Sequence, residues 1–351
     1  MVRMMSLKPC LVMGTGFHRW VLGTAMSGNF NALLDWNELL LAVARKSGVA
    51  LARTDHSLSL HWEKLLTTGI DDGIVNTLAG HDYLNVSELE RLFKKQAVEV
   101  LAEHQDLYPA HSKRAQLPLS HVWGAVVSLN FDAHWLSGRC RKWSHHRGEA
   151  VDTIAVTKQR QIACEELLRL NNFIQLGAGD DAKRLWFPNG YIGRARSLRL
   201  GMREFGFQPV AIQHAFAAVK AYERGAGSHQ KRIGFVHAAL KGQATLNSFT
   251  EDAAPLPLTW VTEMLFRPVC FAGVGMSDAE LGLWALMVQR ARNLANVKYD
   301  ARPPACILIK GDDTRLAFWR TKPCGIAPLI CTTWDEGWEQ VSDWAAKRVL
   351  D

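Results

Sequence analysis

Short apolar runs that end in glycine or small polar residues recur along the chain, and each is typical of a buried strand in a parallel sheet. The first run is Cys10-Leu11-Val12-Met13, which leads directly into Gly14-Thr15-Gly16. Comparable runs predict later strands within residues 122–127, 185–187, 269–272, 303–311 and 328–333. Each of these runs is too short for a helix but long enough for a buried strand.

Segments with apolar residues at helical spacing separate these strands. They predict helices within residues 31–48, 86–104, 153–171, 208–224, from about 277, and 337–350. The first two lie between the first two strands and indicate a helical insertion at about 31–115. Because strands and helices otherwise alternate, the sequence predicts one α/β domain over residues 1–351. We expect a Rossmann-like parallel sheet with helices on both faces and this helical insertion.

The composition is that of an ordinary globular protein, with 351 residues of which 48% are hydrophobic and 21% charged. Apolar runs long enough for a membrane helix are absent from the sequence, and the first residues lead into a strand rather than a cleavable apolar segment. We therefore expect a cytoplasmic protein with no membrane partner. The seven cysteines are scattered and form no C-x-x-C pair. This spacing argues against a thiolate metal site and a disulfide framework, so we expect no metal.

The formal net charge of +7 favours ligands that carry phosphate. Basic residues concentrate within 138–148 and 193–203, and either stretch also fits a solvated surface. One interpretation is binding of nucleic acid by the second stretch through Arg194, Arg196, Arg199 and Arg203. We rank this interpretation lowest, because the same arginines could contact a pyrophosphate or a second subunit.

Polar and glycine residues follow several of the predicted strands. They are Gly14, Thr15 and Gly16, then Ser128, Asn130 and Asp132, then Asn189 and Gly190, and finally Gly273, Gly275 and Ser277. Because ligands of open parallel sheets bind beyond the carboxyl ends of the strands, we expect these residues to lie close together. Each motif alone also fits a plain strand–loop junction, and the G-x-G motif has Arg19 where a dinucleotide fingerprint has its third glycine.

The order of these motifs resembles the sirtuin-like superfamily, specifically its divergent branch of bacterial antiphage proteins that consume NAD. The corresponding stretches are GTG at 14–16, SLNFD at 128–132, NG at 189–190 and GVGMSD at 273–278, and the resemblance covers about residues 9–310. It implies a hydrolase that cleaves NAD and releases nicotinamide as an abortive-infection effector. NAD would be a substrate rather than a resident cofactor. The resemblance also implies a homo-oligomer or a partner defence protein.

The chemistry of NAD cleavage fits these residue types. Asn130 would orient water or the ribose hydroxyls, and Asp132 would accept a hydrogen bond from the nicotinamide amide. The backbone N–H groups of residues 14–16 would meet the pyrophosphate, with Arg19 beside a phosphate. We expect the adenosine side of the ligand to contact Gly273, Gly275 and Ser277.

The chain departs from the family pattern at positions 189 and 18. Asn189 stands where the family has the histidine of its H-G motif, and an amide does not take up a proton near neutral pH. His18 or His134 could return an imidazole to the cleft, so the candidate catalytic residues are Asn130, Asn189 and His18. Asn189 also fits a second hypothesis, a catalytically silent module that binds NAD or a related nucleotide and regulates a partner.

Overall fold

The computed structural model describes a large part of the chain. The described residues are 7–23, 35–53, 57–71, 86–103, 113–132, 135, 145–146, 169–170, 173–176, 183–225, 259–277, 280–295 and 302–350. Several sequence predictions lie outside these residues. They are most of the predicted helix 153–171, most of the basic stretch 138–148, and His134.

The strands of the described chain form one mixed sheet. They are β1 (Cys10–Met13), β2 (Ala125–Ser128), β3 (His145–His146), β4 (Phe173–Leu176), β5 (Lys183–Trp186), β6 (Val269–Ala272), β7 (Ala305–Lys310) and β8 (Ile326–Cys331). Their order across the sheet is β3-β4-β5-β2-β1-β6-β7-β8. In this order, the six strands β5, β2, β1, β6, β7 and β8 are parallel. The strand β4 is antiparallel to β5, and β3 is antiparallel to β4.

Of the α-helices in the described chain, four lie between β1 and β2, two lie between β5 and β6, and one follows each of β6, β7 and β8. The helices are α1 (Thr15–Leu22), α2 (Trp36–Ser47), α3 (Leu58–Asp71), α4 (Val86–Ala102), α5 (Met202–Gly225), α6 (Trp260–Phe266), α7 (Leu281–Leu294), α8 (Leu316–Arg320) and α9 (Trp334–Leu350). Among the described helices, none combines the length and the apolar run that crossing a bilayer requires.

Helices cover both faces of the sheet, which confirms the predicted Rossmann-like α/β class. Along β1, Cys10 and Val12 pack into a core with residues of α5, α6 and α7. Leu11 and Met13 point to the opposite face and pack with residues of α1 and α9. This alternation follows from the two-residue period of a strand, and burial on both faces explains why the run is continuously apolar.

The predicted helical insertion is present as α2, α3 and α4, which surround a third hydrophobic core. Leu40 and Phe93 are fully buried in this core. Phe131, which follows β2, and Leu198, which follows β5, pack into the same cluster. The insertion therefore packs directly on the loops at the carboxyl ends of two strands.

Some boundaries differ from the sequence prediction. The second strand begins at Ala125 rather than at residue 122, because Val122 and Trp123 lie in the preceding turn. The short antiparallel strands β3 and β4, of two and four residues, were not predicted. The helix expected from about Ser277 begins at Leu281. There Met276 has a φ of 45°, and the Ser277 carbonyl accepts from the Glu280 N–H in a turn before the helix.

A buried ion network lies at the amino ends of the strands. Glu263 of α6 is fully buried, and its Oε1 accepts from Arg184 Nε of β5 at 2.8 Å. Its Oε2 accepts from Arg267 Nε at 2.5 Å. Arg267 Nη1 also donates to the Lys8 carbonyl, just before β1, at 2.8 Å. One carboxylate thus joins α6 to the segments that begin three strands of the sheet.

We predict that Glu263→Ala strongly destabilises the fold, because it leaves two buried guanidinium groups without their shared carboxylate. Removing one partner of a buried pair costs about 3–5 kcal/mol. Urea unfolding followed by circular dichroism measures the change in free energy. The control is Glu339→Ala, at an exposed position of α9, which should change stability by less than about 0.5 kcal/mol. Equal unfolding midpoints for the two variants would contradict the role assigned to Glu263.

Candidate functional site

A cavity of about 380 Å³ opens at the carboxyl ends of the three adjacent strands β2, β1 and β6. The residues that line it are Gly14, Thr15, Arg19, Asp35, Trp36, Asn37, Leu58, Leu129, Asn130, Gly273, Val274, Gly275 and Glu280. The chain leaves β1 toward β2 on one side, and β6 pairs with β1 on the other. The cavity therefore occupies the topological switch point, where open α/β sheets bind ligands.

Strand register brings three of the sequence motifs into this cavity. Met13, at the end of β1, pairs with Ser128 of β2 and with Ala272 of β6. The residues that follow these three strands therefore lie at the same level along the strand direction. Gly14, Asn130 and Gly273 accordingly line one cavity although they are far apart in the sequence.

The glycine loops after β1 and β6 are in direct backbone contact. The Gly16 N–H donates to the Gly273 carbonyl at 3.0 Å. A Cβ on Gly16 would lie 2.5 Å from the Gly273 Cα, and Gly273 has a φ of +65°. Glycine is therefore needed at 16 and 273 for the two loops to meet. Gly275 differs, since a Cβ there would have no atom within 4 Å.

Asn130 lines the cavity, and its side-chain amide is buried. The residue is 2% exposed, and neither its Oδ1 nor its Nδ2 has a hydrogen-bond partner within the described structure. Leaving a buried polar group unpaired costs about 1–3 kcal/mol, so native proteins rarely do so without a reason. A ligand with hydroxyl groups would supply the missing partners.

His18 and Asp132 contact each other and do not belong to the wall of the cavity. His18 Nε2 is 3.1 Å from Asp132 Oδ1, and both residues are buried. Neither residue is among those that line the cavity. The expected contact of Asp132 with nicotinamide and the expected imidazole of His18 in the cleft stay predictions. The pair joins α1 to the loop after β2.

Asn189 is hydrogen-bonded to the residue after β2 and is not among the residues that line the cavity. Its Nδ2 donates to the Leu129 carbonyl at 2.9 Å, and its Oδ1 accepts from Arg199 Nη1 at 3.4 Å. The Arg199 N–H donates to the Asn189 carbonyl at 2.7 Å. These contacts hold the residue that precedes Asn130. Within the described structure, Asn189 thus positions Leu129 and does not form part of the cavity wall.

The helical insertion forms a wall of the cavity that sequence reasoning missed. Asp35, Trp36 and Asn37 come from the start of α2, where Asp35 Oδ1 accepts from the Asn37 N–H at 2.9 Å. The Trp36 ring stacks on Phe131, with 4.9 Å between ring centroids. Asn37 Oδ1 lies 3.2 Å from His61 Nδ1. The sequence predicts a helix within residues 31–48, but it does not show that the turn at Asp35 faces the strand ends.

Glu280 is a second residue that the sequence did not reveal. It stands at the N-cap of α7, lines the cavity and is only partly exposed. Burial raises the pKa of its carboxyl above the ordinary value, and the nearby Arg199 guanidinium acts in the opposite direction. No sequence motif marks this position.

The basic residues differ in location, and Arg194, Arg196 and Arg203 are exposed outside the cavity. Arg19 is exposed and lines the cavity, as expected for a phosphate contact. Arg199 is only 1% exposed, so it does not belong to a basic surface stripe. Arg315 Nη1 donates to the Gly275 carbonyl at the edge of the cavity. Ser277 is exposed and is not among the residues that line it.

Within the part of the chain that the structure describes, no group of three or more histidine, cysteine or acidic residues is arranged to hold a metal ion. The sequence matches no known family model, and no curated protein matches it either. The resemblance to the sirtuin-like superfamily therefore stays a prediction from the order of the motifs.

We predict that two glycine substitutions separate loop packing from cavity shape. Gly16→Ala drives a methyl group into the Gly273 backbone, and overpacking of this kind costs about 1–3 kcal/mol. Gly275→Ala places its methyl group in open space, so its effect on stability should stay within about 0.5 kcal/mol. Thermal unfolding measures both variants. Equal melting temperatures for the two variants would contradict the proposed loop contact.

Proposed function

We propose that the protein binds NAD in this cavity and hydrolyses its N-glycosidic bond, which releases nicotinamide. The observation that carries the proposal is the buried amide of Asn130, which has no partner within the described structure and lines the cavity. A ribose has hydroxyl groups that can both donate to and accept from such an amide. The cavity volume lies within the range of small-molecule sites.

The start of α1 supports the phosphate part of the proposal. Its N-cap, Gly14, makes no side-chain capping bond, and its first turn contains no acidic residue. The partial positive charge of a helix N-terminus therefore faces the cavity without a competing anion from that turn. The Gly16 N–H already donates to Gly273, so we assign the pyrophosphate contact to Thr15 and Arg19.

Asn130 has a defined role in this reaction. Cleavage of the C1′–N bond passes through an oxocarbenium-like ribose, and an amide can hold the ribose hydroxyls without attacking C1′. Asn189 supports this role indirectly, because its amide holds the Leu129 carbonyl at the end of β2. The backbone that carries Asn130 is held in this way, so its position needs little reorganisation when the charge develops on the sugar.

The biological part of the proposal follows from the motif resemblance. We propose a cytoplasmic antiphage effector that depletes NAD when it is triggered. The family-like arrangement would be a homo-oligomer or a complex with a partner defence protein. We do not propose nucleic acid as the ligand of the cavity, because Arg199 is buried against Asn189 and the exposed Arg194, Arg196 and Arg203 do not line the cavity.

A second candidate function is a nucleotide sensor that binds NAD without cleaving it. The observation that favours it is Asn189, which stands at the family's histidine position and has both side-chain polar atoms engaged. Incubation of the purified protein with NAD, followed by chromatography of nicotinamide, separates the two functions. Calorimetric binding of NAD without any release would select the sensor.

We predict that Asn130→Ala lowers the rate of nicotinamide release by at least about 100-fold, as expected when one preorganised polar group is lost. The protein should remain folded, because removal of an unpartnered buried amide breaks no hydrogen bond of the described structure. Chromatography of nicotinamide at saturating NAD measures the rate.

The matched control is Asn293→Ala, an exposed asparagine of α7 that does not line the cavity. It should release nicotinamide at the wild-type rate. If Asn130→Ala also retains the wild-type rate, Asn130 has no part in the chemistry.

A further inference from the structure

Two carboxyl groups line the cavity, and the structure uses them differently. The Asp35 carboxylate is engaged, since it caps α2 through the Asn37 N–H and lies 3.6 Å from Arg53 Nη2. Glu280 occupies the N-cap position of α7, yet its side chain makes no capping hydrogen bond there. Its carboxyl group is therefore available to a ligand in the cavity.

Two features of the surroundings act on the Glu280 carboxyl group in opposite directions. Burial raises its pKa, because a partly desolvated carboxylate loses hydration, while the Arg199 guanidinium partly offsets this effect. The other charged groups on the cavity wall are Arg19 of α1 and Asp35 of α2. A carboxyl group whose pKa moves toward the working pH becomes an effective acceptor of protons.

One electrostatic interaction and two hydrogen bonds connect Glu280 with the residue before Asn130. Arg199, which interacts electrostatically with Glu280, donates to Asn189 Oδ1 at 3.4 Å. Asn189 in turn donates to the Leu129 carbonyl at 2.9 Å, directly before Asn130. The carboxyl and the amide therefore lie on one cavity and share one buried support.

We infer that Glu280 is the catalytic general base of the proposed NAD hydrolysis. Its carboxylate takes one proton from a water molecule while the water oxygen forms a bond to C1′ of the nicotinamide ribose. The bond from C1′ to the pyridinium nitrogen breaks, and its electron pair leaves with nicotinamide, which becomes neutral. The products are nicotinamide, ADP-ribose and a proton on Glu280 that later passes to solvent.

This inference rests on the proposed function and explains how the site can do without a histidine at position 189. In this mechanism, Asn189 positions Leu129 and Arg199, whereas Glu280 takes the proton. The two walls come from different strand ends, β2 for Asn130 and β6 followed by α7 for Glu280.

We predict that Glu280→Gln lowers the rate of nicotinamide release by at least about 100-fold, as is typical for loss of a general base. The affinity for NAD, measured by calorimetry, should change by less than about threefold, since glutamine keeps the shape and size of the side chain. Glu280→Asp should retain an intermediate rate. The matched control is Glu339→Gln, at an exposed position of α9, and it should behave as wild type.

The pH dependence gives an independent test. The wild-type rate should fall as the pH falls through the raised pKa of Glu280, because the protonated carboxyl accepts no proton. The Gln variant should lose this acidic limb, whereas the Asp variant should keep it.

Protein stability provides a readout that does not depend on activity. A carboxyl group whose pKa is raised on folding contributes stability below its unfolded pKa, and this contribution is lost as the pH rises through the folded pKa. Glu280→Gln should therefore raise the melting temperature near neutral pH relative to wild type. The difference should shrink in acid.

The outcomes distinguish the two claims. If the wild type releases nicotinamide and Glu280→Gln keeps its rate and acidic limb, the inference is overturned and the proposed function stands. If Glu280→Gln loses affinity for NAD but keeps its rate at saturation, Glu280 is a binding residue and the inference is again overturned. If the wild type releases no nicotinamide, both claims fail.

Discussion

The backbone contact between the loops after β1 and β6 is the constraint on which the rest of the site depends. The Gly16 N–H reaches the Gly273 carbonyl because neither residue carries a side chain. This contact fixes the start of α1 relative to the end of β6. Since β1 is also in register with β2, it sets where Asn130 stands as well. A short stretch of close packing thus determines the shape of a cavity that three distant segments form.

The two ends of the sheet have different physical characters. At the amino ends, Glu263 joins Arg184 and Arg267 in a buried network in which each charge has an opposite charge. At the carboxyl ends, Asn130 lacks partners within the described structure, and Glu280 is partly desolvated. The first end stabilises the arrangement of strands. The second retains polar groups at a cost in stability, which is typical of a place where a ligand binds.

The helical insertion has a core of its own, but it is not independent of the sheet. Phe131 and Leu198 extend from the strand ends into that core. The Trp36 ring stacks on Phe131, so the start of α2 and the loop after β2 are held together. The cavity consequently has one wall of strand ends and one wall of helices, and a change in the insertion core would alter the site directly.

The sequence by itself determined the fold class and three of the loops that meet at the site. Buried parallel strands require continuous apolar runs, and close loops require glycine, so Val12, Gly14 and Gly273 carry a local signal. Glu280 and Asn37 carry none, because their place on the cavity wall depends on how α7 and the insertion pack. The contact of His18 with Asp132 and the hydrogen bonds of Asn189 likewise depend on the tertiary structure. A side chain's residue type does not specify whether its neighbours turn it toward a cavity or engage it in a buried contact.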